Sequence, residues 1–347
     1  METKHLFCAA LLACASQAYA QNVTLYGLLD NSIEVANTGG GTTARMDPGM
    51  YLGSRFGMIG KEDIGGGYSI NFVLEQGILT TTGAASVPNS AFGRQAWVGF
   101  GSPYGEVRFG RQNSPVYIPV SGALDAFNGQ TIGSGLISFL AIVPRVSNAI
   151  SYQSPEIAGT KAQLMISLRD ASNSSQNGIA SYHIGIQYAK GPVGAVVGYQ
   201  RVEDPVGVVW PGSSAGTVLK ALYAGASYDL GNLTFYLGYN NNRQSDTPLN
   251  RDVFTASVRY TFNPATFFSF GAAHLHDKSN LDSNADQVGL MLNYFLSKRT
   301  NVYAAASWIE NHNRATFAMN GATTAGIPVA YPGAPARGVQ LGMVHKF

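Results

Sequence analysis

Runs of about ten residues in which apolar and polar side chains alternate recur along most of the chain. "YHIGIQY" sets Tyr182, Ile184, Ile186 and Tyr188 against His183, Gly185 and Gln187. "FTASVRYTF" sets Phe254, Ala256, Val258, Tyr260 and Phe262 against Thr255, Ser257, Arg259 and Thr261. "VGLMLNYFL" does the same with Val288, Leu290, Leu292, Tyr294 and Leu296 on its apolar side. A period of two residues is the signature of a strand with two unlike faces. In "SRFGMIGKEDIGGGYSINFVLEQ", two such runs flank a glycine-rich turn and read as a hairpin.

The connections alternate as well. Seven are short: "KEDIGGG", "GSPYG", "PEIAGT", "AKGP", "DLGN", "NPA" and "SKRT". Between them fall mostly longer ones at residues 37–49, 79–91, 113–144, 171–180, 203–216, 244–250, 278–285 and 311–336. Together they join sixteen strands, with tight turns on one rim and loops on the other. That is the layout of an all-β, antiparallel transmembrane barrel with short periplasmic turns and long extracellular loops. A barrel of this width is not filled by side chains and holds water. Phe56 and Met58 are then expected to face lipid, and Arg55 and Glu75 the lumen.

Composition and the chain ends agree. No run after residue 20 approaches the ~18 consecutive apolar residues of a spanning helix. Forty-one glycines, eighteen tyrosines and seventeen phenylalanines beside only 12% charged residues suit a turn-rich β-protein with aromatic bands. "METKHLFCAALLACASQAYA" reads as a cleaved export signal over residues 1–20, followed by the barrel over 21–347. "LLAC" offers a competing lipoprotein box at Cys14, which Leu12 fits poorly. Cys8 and Cys14 both lie in this leader, so the barrel is expected without disulfides. A net charge of +2 points to no nucleic-acid partner. The final run places Val339, Leu341, Met343, His345 and Phe347 on one face.

"VTLYGLLD", "SRFGMIGKEDIGGGYS", "GRQAWVGFGSPYGEVRFGRQ", "NAISYQSPEIAG", "GASYDLG" and "YFLSKRTNVYA" resemble, in order, the general porins of Gram-negative bacteria, and their β-proteobacterial branch in particular. The resemblance implies an outer-membrane homotrimer of 16-stranded barrels whose third loop folds inward to narrow each pore. It implies contact with outer-membrane lipid and lipopolysaccharide, and recognition of terminal Phe347 by the barrel assembly machinery. It also implies a ladder of wall arginines facing that loop. The matching positions are Arg55, Arg94 and Arg145; Ser151 stands where the family often carries a further arginine, which thins the cationic wall.

The inward loop, Asn113 to Pro144, holds one acid, Asp125, and no base. Three arginines against one carboxylate leave the constriction positive, and arginine rings select anions. Glu75, Asp30 and Glu34 point inward by parity and are placed to soften that preference. Arg111 shares parity with Val107 and Phe109 and reads as a rim or loop anchor; Arg108 and Arg259 face water or satisfy neighbouring carboxylates. The apolar "LISFLAIVP" reads as an anchor holding the loop to the wall, with Leu136, Phe139 and Leu140 as eyelet lining the alternative.

Other chemistry is weakly represented. His274 and His276 share a strand face without a third metal ligand in view. The "GGG" runs at 39–41 and 65–67 lack a strand–loop–helix context for phosphate, and no nucleophile elbow or zinc-protease motif occurs. The expectation is therefore a non-enzymatic channel without cofactor or metal, passing small hydrophilic solutes with a modest anion preference. A solute-specific channel, a barrel enzyme, and an adhesin using residues 311–336 are the alternatives.

Overall fold

The alternating runs fold as strands. The computed structural model describes residues 22–117, 125–169, 178–205 and 216–347. The expected leader, and residues 118–124, 170–177 and 206–215 of three outer loops, lie outside the described residues. The strands are β1 (Asn22–Asn37), β2 (Thr42–Pro48), β3 (Arg55–Gly65), β4 (Tyr68–Leu79), β5 (Ala84–Ala85) and β6 (Gln95–Ser102). They continue as β7 (Gly105–Asn113), β8 (Arg145–Gln153), β9 (Thr160–Leu168), β10 (Ile179–Lys190), β11 (Val193–Glu203) and β12 (Val218–Asp229). The last are β13 (Leu233–Gln244), β14 (Asn250–Asn263), β15 (Thr266–Asp277), β16 (Ala285–Phe295), β17 (Thr300–Asn311) and β18 (Ala336–Lys346).

These pieces make sixteen crossings. The lower half of β1 pairs with β3, from Asn22↔Lys61 to Leu28↔Arg55. Its upper half pairs with β2, from Asn31↔Pro48 to Asn37↔Thr42. β2 and β3 are thus one crossing broken at residues 49–54, and β5 is a two-residue ladder beside the top of β4. Residues 37–49, expected as a loop, are mostly strand, because β2 pairs with the same stretch of β1 that pairs with β18 in the wall. Closure comes from β1 against β18, Leu28↔Lys346 to Asn37↔Arg337. Gly27 and Phe347 exchange backbone hydrogen bonds at 3.1 and 3.0 Å. A Cβ on Gly27 would lie 2.3 Å from the Phe347 ring, so glycine is needed for that ring to cover the seam.

Burial follows the alternation. On β16 the exposed side chains are Val288, Leu290, Leu292 and Tyr294, and the buried ones are Gln287, Met291 and Asn293. An apolar exterior over a polar interior inverts the soluble pattern and matches a barrel set in a bilayer. Phe56 is exposed and Met58 half-buried on that exterior. No helix among the described residues is long and apolar enough to cross a membrane.

The third loop folds into the barrel and carries one short helix, α1 (Gly135–Phe139), capped by the Ser134 hydroxyl accepting from Ile137 N. Leu136 and Leu140 pack with Val196, Ala221 and Tyr223 of the wall. Phe127, Ile132 and Phe139 join Leu275 and Met291. Leu136, Phe139 and Leu140 are almost wholly buried, so the apolar run anchors the loop. At Gly289 the loop backbone approaches so closely that a Cβ would sit 2.0 Å from the Gly133 carbonyl oxygen.

Candidate functional site

Strand register brings two arginines to one acid. Glu75 on β4 lies opposite Gly57 of β3 on one side and Gln95 of β6 on the other. Arg55, two residues before Gly57, reaches it with Nε 3.4 Å from Oε2. Arg94, just before β6, reaches it with Nε 2.8 Å from Oε1. The Tyr26 hydroxyl donates to Oε2 at 3.0 Å. Gly57 makes this possible, since a Cβ there would lie 2.9 Å from the Tyr26 ring. Glu75 is thus a shared counter-ion, held from three strands. Arg55 keeps about a quarter of its side chain exposed, whereas Arg94 is nearly buried.

Arg145 opens β8 nearby, close enough to Arg94 and Glu75 to feel their charges. Its guanidinium carbon stands 5.4 Å from the centre of the Tyr117 ring. Its Nε and Nη2 have no hydrogen-bond partner among the described residues.

The other acids are engaged elsewhere. Asp30 is fully buried; it accepts from Tyr51 N and Leu52 N, both at 2.7 Å, and from the Tyr303 hydroxyl at 2.9 Å. It therefore pins the break between β2 and β3. Glu34 pairs with Arg45 at 2.8 Å, and Arg45 also meets Asp47 at 2.7 Å. Asp125, expected to oppose the wall arginines, forms no ion pair with them among the described residues. It accepts from Phe127 N and the Ser257 hydroxyl, each at 3.2 Å, and from the Ser134 hydroxyl. Burial pushes its carboxyl above the usual aspartate range. The physical reason is its place at the base of the loop's inner turn, where it closes the turn and ties it to β14.

Arg259 is the partner that parity alone does not assign. From β14 it donates through Nε to the Ala126 carbonyl at 3.0 Å and through Nη2 to Asn128 Oδ1 at 2.8 Å. Ser269 donates to the same carbonyl at 2.8 Å, and Gln287 to the Ile132 carbonyl at 2.8 Å. These side chains hold the loop across the lumen. The lumen-facing parity of Arg259 is legible in the sequence; the acceptors of all three side chains lie some 130 or more residues away. Arg111 bonds Gly93 O and Ser147 Oγ, both at 2.7 Å, as a loop-base anchor does. Arg108 is paired with Glu106 and stacks on Trp97 at 4.3 Å.

A second loop enters the mouth. Residues 312–335 turn inward, with Phe317 edge-on to Phe139 at 5.1 Å and Asn320 Nδ2 donating to Ser138 O at 3.4 Å. The Met50 carbonyl accepts from Thr131 N of the third loop at 3.2 Å and from Ala322 N of the last loop at 2.9 Å. Of the histidines, His274 and His312 both contact Asp286, at 2.7 and 2.9 Å, on exposed side chains. Among the described residues no set of metal-ligating side chains converges.

A barrel of sixteen crossings narrowed by an inward loop has the form of a passage through the membrane. The sequence relatives agree. The outer membrane porin protein 32 of Delftia acidovorans is 28% identical over 363 aligned positions, covering 99% of each chain. The major outer membrane protein P.IB of Neisseria meningitidis serogroup B is 26% identical, covering 87% of this chain and 92% of its own. Among solved structures, an anion-selective porin from Comamonas acidovorans shares the fold with a TM-score of 0.77 at 23% identity, over 94% of this chain and 100% of that one. A trimer form of OmpT, an outer membrane protein of Vibrio cholerae, overlays with a TM-score of 0.68 at 16% identity, over 94% and 100%. The model of the Gram-negative porin family matches residues 8–314. The chain belongs to that family, and its barrel is a channel of the outer membrane.

Proposed function

We propose that this channel passes small hydrophilic solutes by diffusion and favours anions, with Arg55, Arg94 and Arg145 setting the preference and Glu75 tempering it. The observation that carries the reading is the engagement of Asp125 with Ser134, Phe127 and Ser257. With that carboxylate withdrawn, three arginines share one acid, and residues 118–124 of the loop contain no charged side chain. Guanidinium stays charged at every physiological pH. A fixed positive field in a narrow, low-dielectric passage raises the local anion concentration. A fold relative is itself described as anion-selective, which supports the same reading.

The chain is further proposed to be exported through cleavage after Ala20, to use Phe347 in recognition by the barrel assembly machinery, and to assemble as a homotrimer in lipopolysaccharide-containing membrane.

The test is the zero-current potential of the purified protein in a planar bilayer under a potassium chloride gradient. The sign expected for chloride, reduced in Arg55→Ala, supports the reading. A cation-selective wild-type pore would sink it.

A further inference from the structure

Arg251 is the second residue of β14, on its inner face at the loop-bearing mouth, and only 5% of it is exposed. Its directly opposed neighbours are Asn242 of β13 and Asp277 of β15. An arginine set opposite an aspartate ordinarily closes an ion pair. Here Asp277 is taken up by the turn that follows it, accepting from Ser279 N at 2.9 Å, Ser283 N at 2.8 Å and Ser279 Oγ at 2.8 Å. Nε and Nη2 of Arg251 have no hydrogen-bond partner among the described residues. Those two nitrogens form one edge of the guanidinium, an edge that receives a carboxylate through two parallel hydrogen bonds. Burying donors of this kind without partners is costly, and a ligand that pairs them removes the cost.

The surroundings decide which ligand. Arg251 and Asp277 line one pocket of about 340 Å³, near the lower end of the range for small-molecule sites. Gln244 lines it too, with Nε2 donating to Thr217 Oγ1 at 2.7 Å and Oε1 buried without a partner among the described residues. Leu249, Leu275 and Phe317 supply an apolar wall. Phe317 is brought there by the last loop. Asn311 clamps its backbone, donating to the Phe317 carbonyl and accepting from its N–H, each at 2.9 Å. The Phe317 ring centre lies 5.2 Å from the Arg251 guanidinium carbon, a contact that steadies the guanidinium.

We propose that this pocket binds a zwitterionic α-amino acid with an apolar side chain. The ligand's carboxylate takes the Nε/Nη2 edge of Arg251, and its ammonium meets Gln244 Oε1 and Asp277. Its side chain lies against Leu249, Leu275 and Phe317. A zwitterion adds no net charge to a pocket that already holds one cation and one anion. A simple anion would satisfy Arg251 but leave Gln244 Oε1 unpaired, and would lie beside the Asp277 carboxylate. Arg55, Arg94 and Arg145 do not line this pocket, so the proposal stands whichever ion the constriction favours.

The test is saturation-transfer NMR on the intact, detergent-solubilised protein with L-leucine and three competitors. These are 4-methylpentanoate, which lacks the ammonium, 3-methylbutylamine, which lacks the carboxylate, and glycine, which lacks the side chain. Leucine should give a saturable signal. The two probes missing a charge should compete about tenfold less well, as expected for a lost hydrogen bond between charged groups. Glycine should compete more weakly than leucine. Arg251→Gln should weaken leucine by about tenfold or more. Leu249→Trp, which fills the pocket and leaves its polar groups in place, should weaken leucine as well. Wild-type mobility of the unboiled protein on gels verifies the fold of each variant, and the competitor series on the wild-type protein decides the matter where a variant does not fold. Absence of a saturable leucine signal, or leucine binding undiminished in Arg251→Gln, would overturn the site. Equal competition by 4-methylpentanoate would overturn it too, reducing it to an anion contact, and equal competition by glycine would remove the apolar wall from it.

Discussion

Arg259 on the barrel wall and Ala126 in the third loop are joined across the lumen, guanidinium Nε to carbonyl oxygen, at 3.0 Å. The same guanidinium stacks over Phe267 at 4.7 Å, which helps hold its orientation toward the loop. A loop held by a charged donor is held strongly, since hydrogen bonds to charged groups contribute about 1.5–3 kcal/mol each.

Arg259→Ala is therefore expected to release the inner turn of the loop and widen the channel. Single-channel conductance should rise, with noisier open current, while the barrel still assembles. Conductance and noise equal to wild type would show that the apolar contacts of Phe127 and Ile132 hold the loop alone.

Glu75→Gln removes the acid shared by Arg55 and Arg94 and raises the excess positive charge around them. A unit charge ~10 Å away in water is worth about 0.4 kcal/mol to each ion, with opposite sign for chloride and potassium, or about fourfold in their permeability ratio. The chloride-to-potassium ratio should rise by about that factor, and Arg55→Ala should lower it comparably. Both effects should shrink between 0.1 M and 1 M salt, as the screening length falls from ~10 Å to ~3 Å. Salt-independent ratios would place the selectivity elsewhere.

Gly289→Ala tests the contact between loop and wall. Its Cβ would lie 2.0 Å from the Gly133 carbonyl oxygen, so the loop must move. Overpacking of this kind costs about 1–3 kcal/mol. Thermal unfolding, followed by the mobility of the unboiled protein on gels, should shift downward together with a change in conductance. A shift in neither would mean that the loop backbone yields freely there.

Asp125 gives a pH dependence of definite sign. Burial raises its carboxyl above the ordinary aspartate value of about 3.9, so the folded state favours the protonated form. Its contribution to stability is complete below the unfolded value and is lost as pH rises through the folded one. Unfolding temperature should fall across that window in wild type and stay flatter in Asp125→Asn. Parallel pH curves for the two proteins would refute this.

What was legible beforehand is what is local. Alternation and turn residues act over two to ten neighbours, so Val288 to Leu296, or the glycines after Lys61, announce a strand and a turn unaided. The face of Arg55, Glu75 and Tyr26 follows from the same count. The partner of Asp125 does not, because the path of a 31-residue connection inside a barrel depends on shape and on side chains such as Ser257 and Arg259, far away in sequence. The inward course of residues 312–335 was hidden for the same reason: nothing in "ATFAMNGATTAGIPVAYPGAPA" signals that Asn320 meets Ser138. Residues 42–48 were read as loop because Thr42, Thr43 and Ala44 carry weak alternation, and only pairing with β1 makes them strand.

The Met50 carbonyl that receives both Thr131 of the third loop and Ala322 of the last loop couples an outer loop to an inner one. A surface loop is ordinarily free to change under attack by antibodies or phages. Here the last loop shares a hydrogen-bond acceptor with the third loop, so a change in its backbone course is felt inside the barrel.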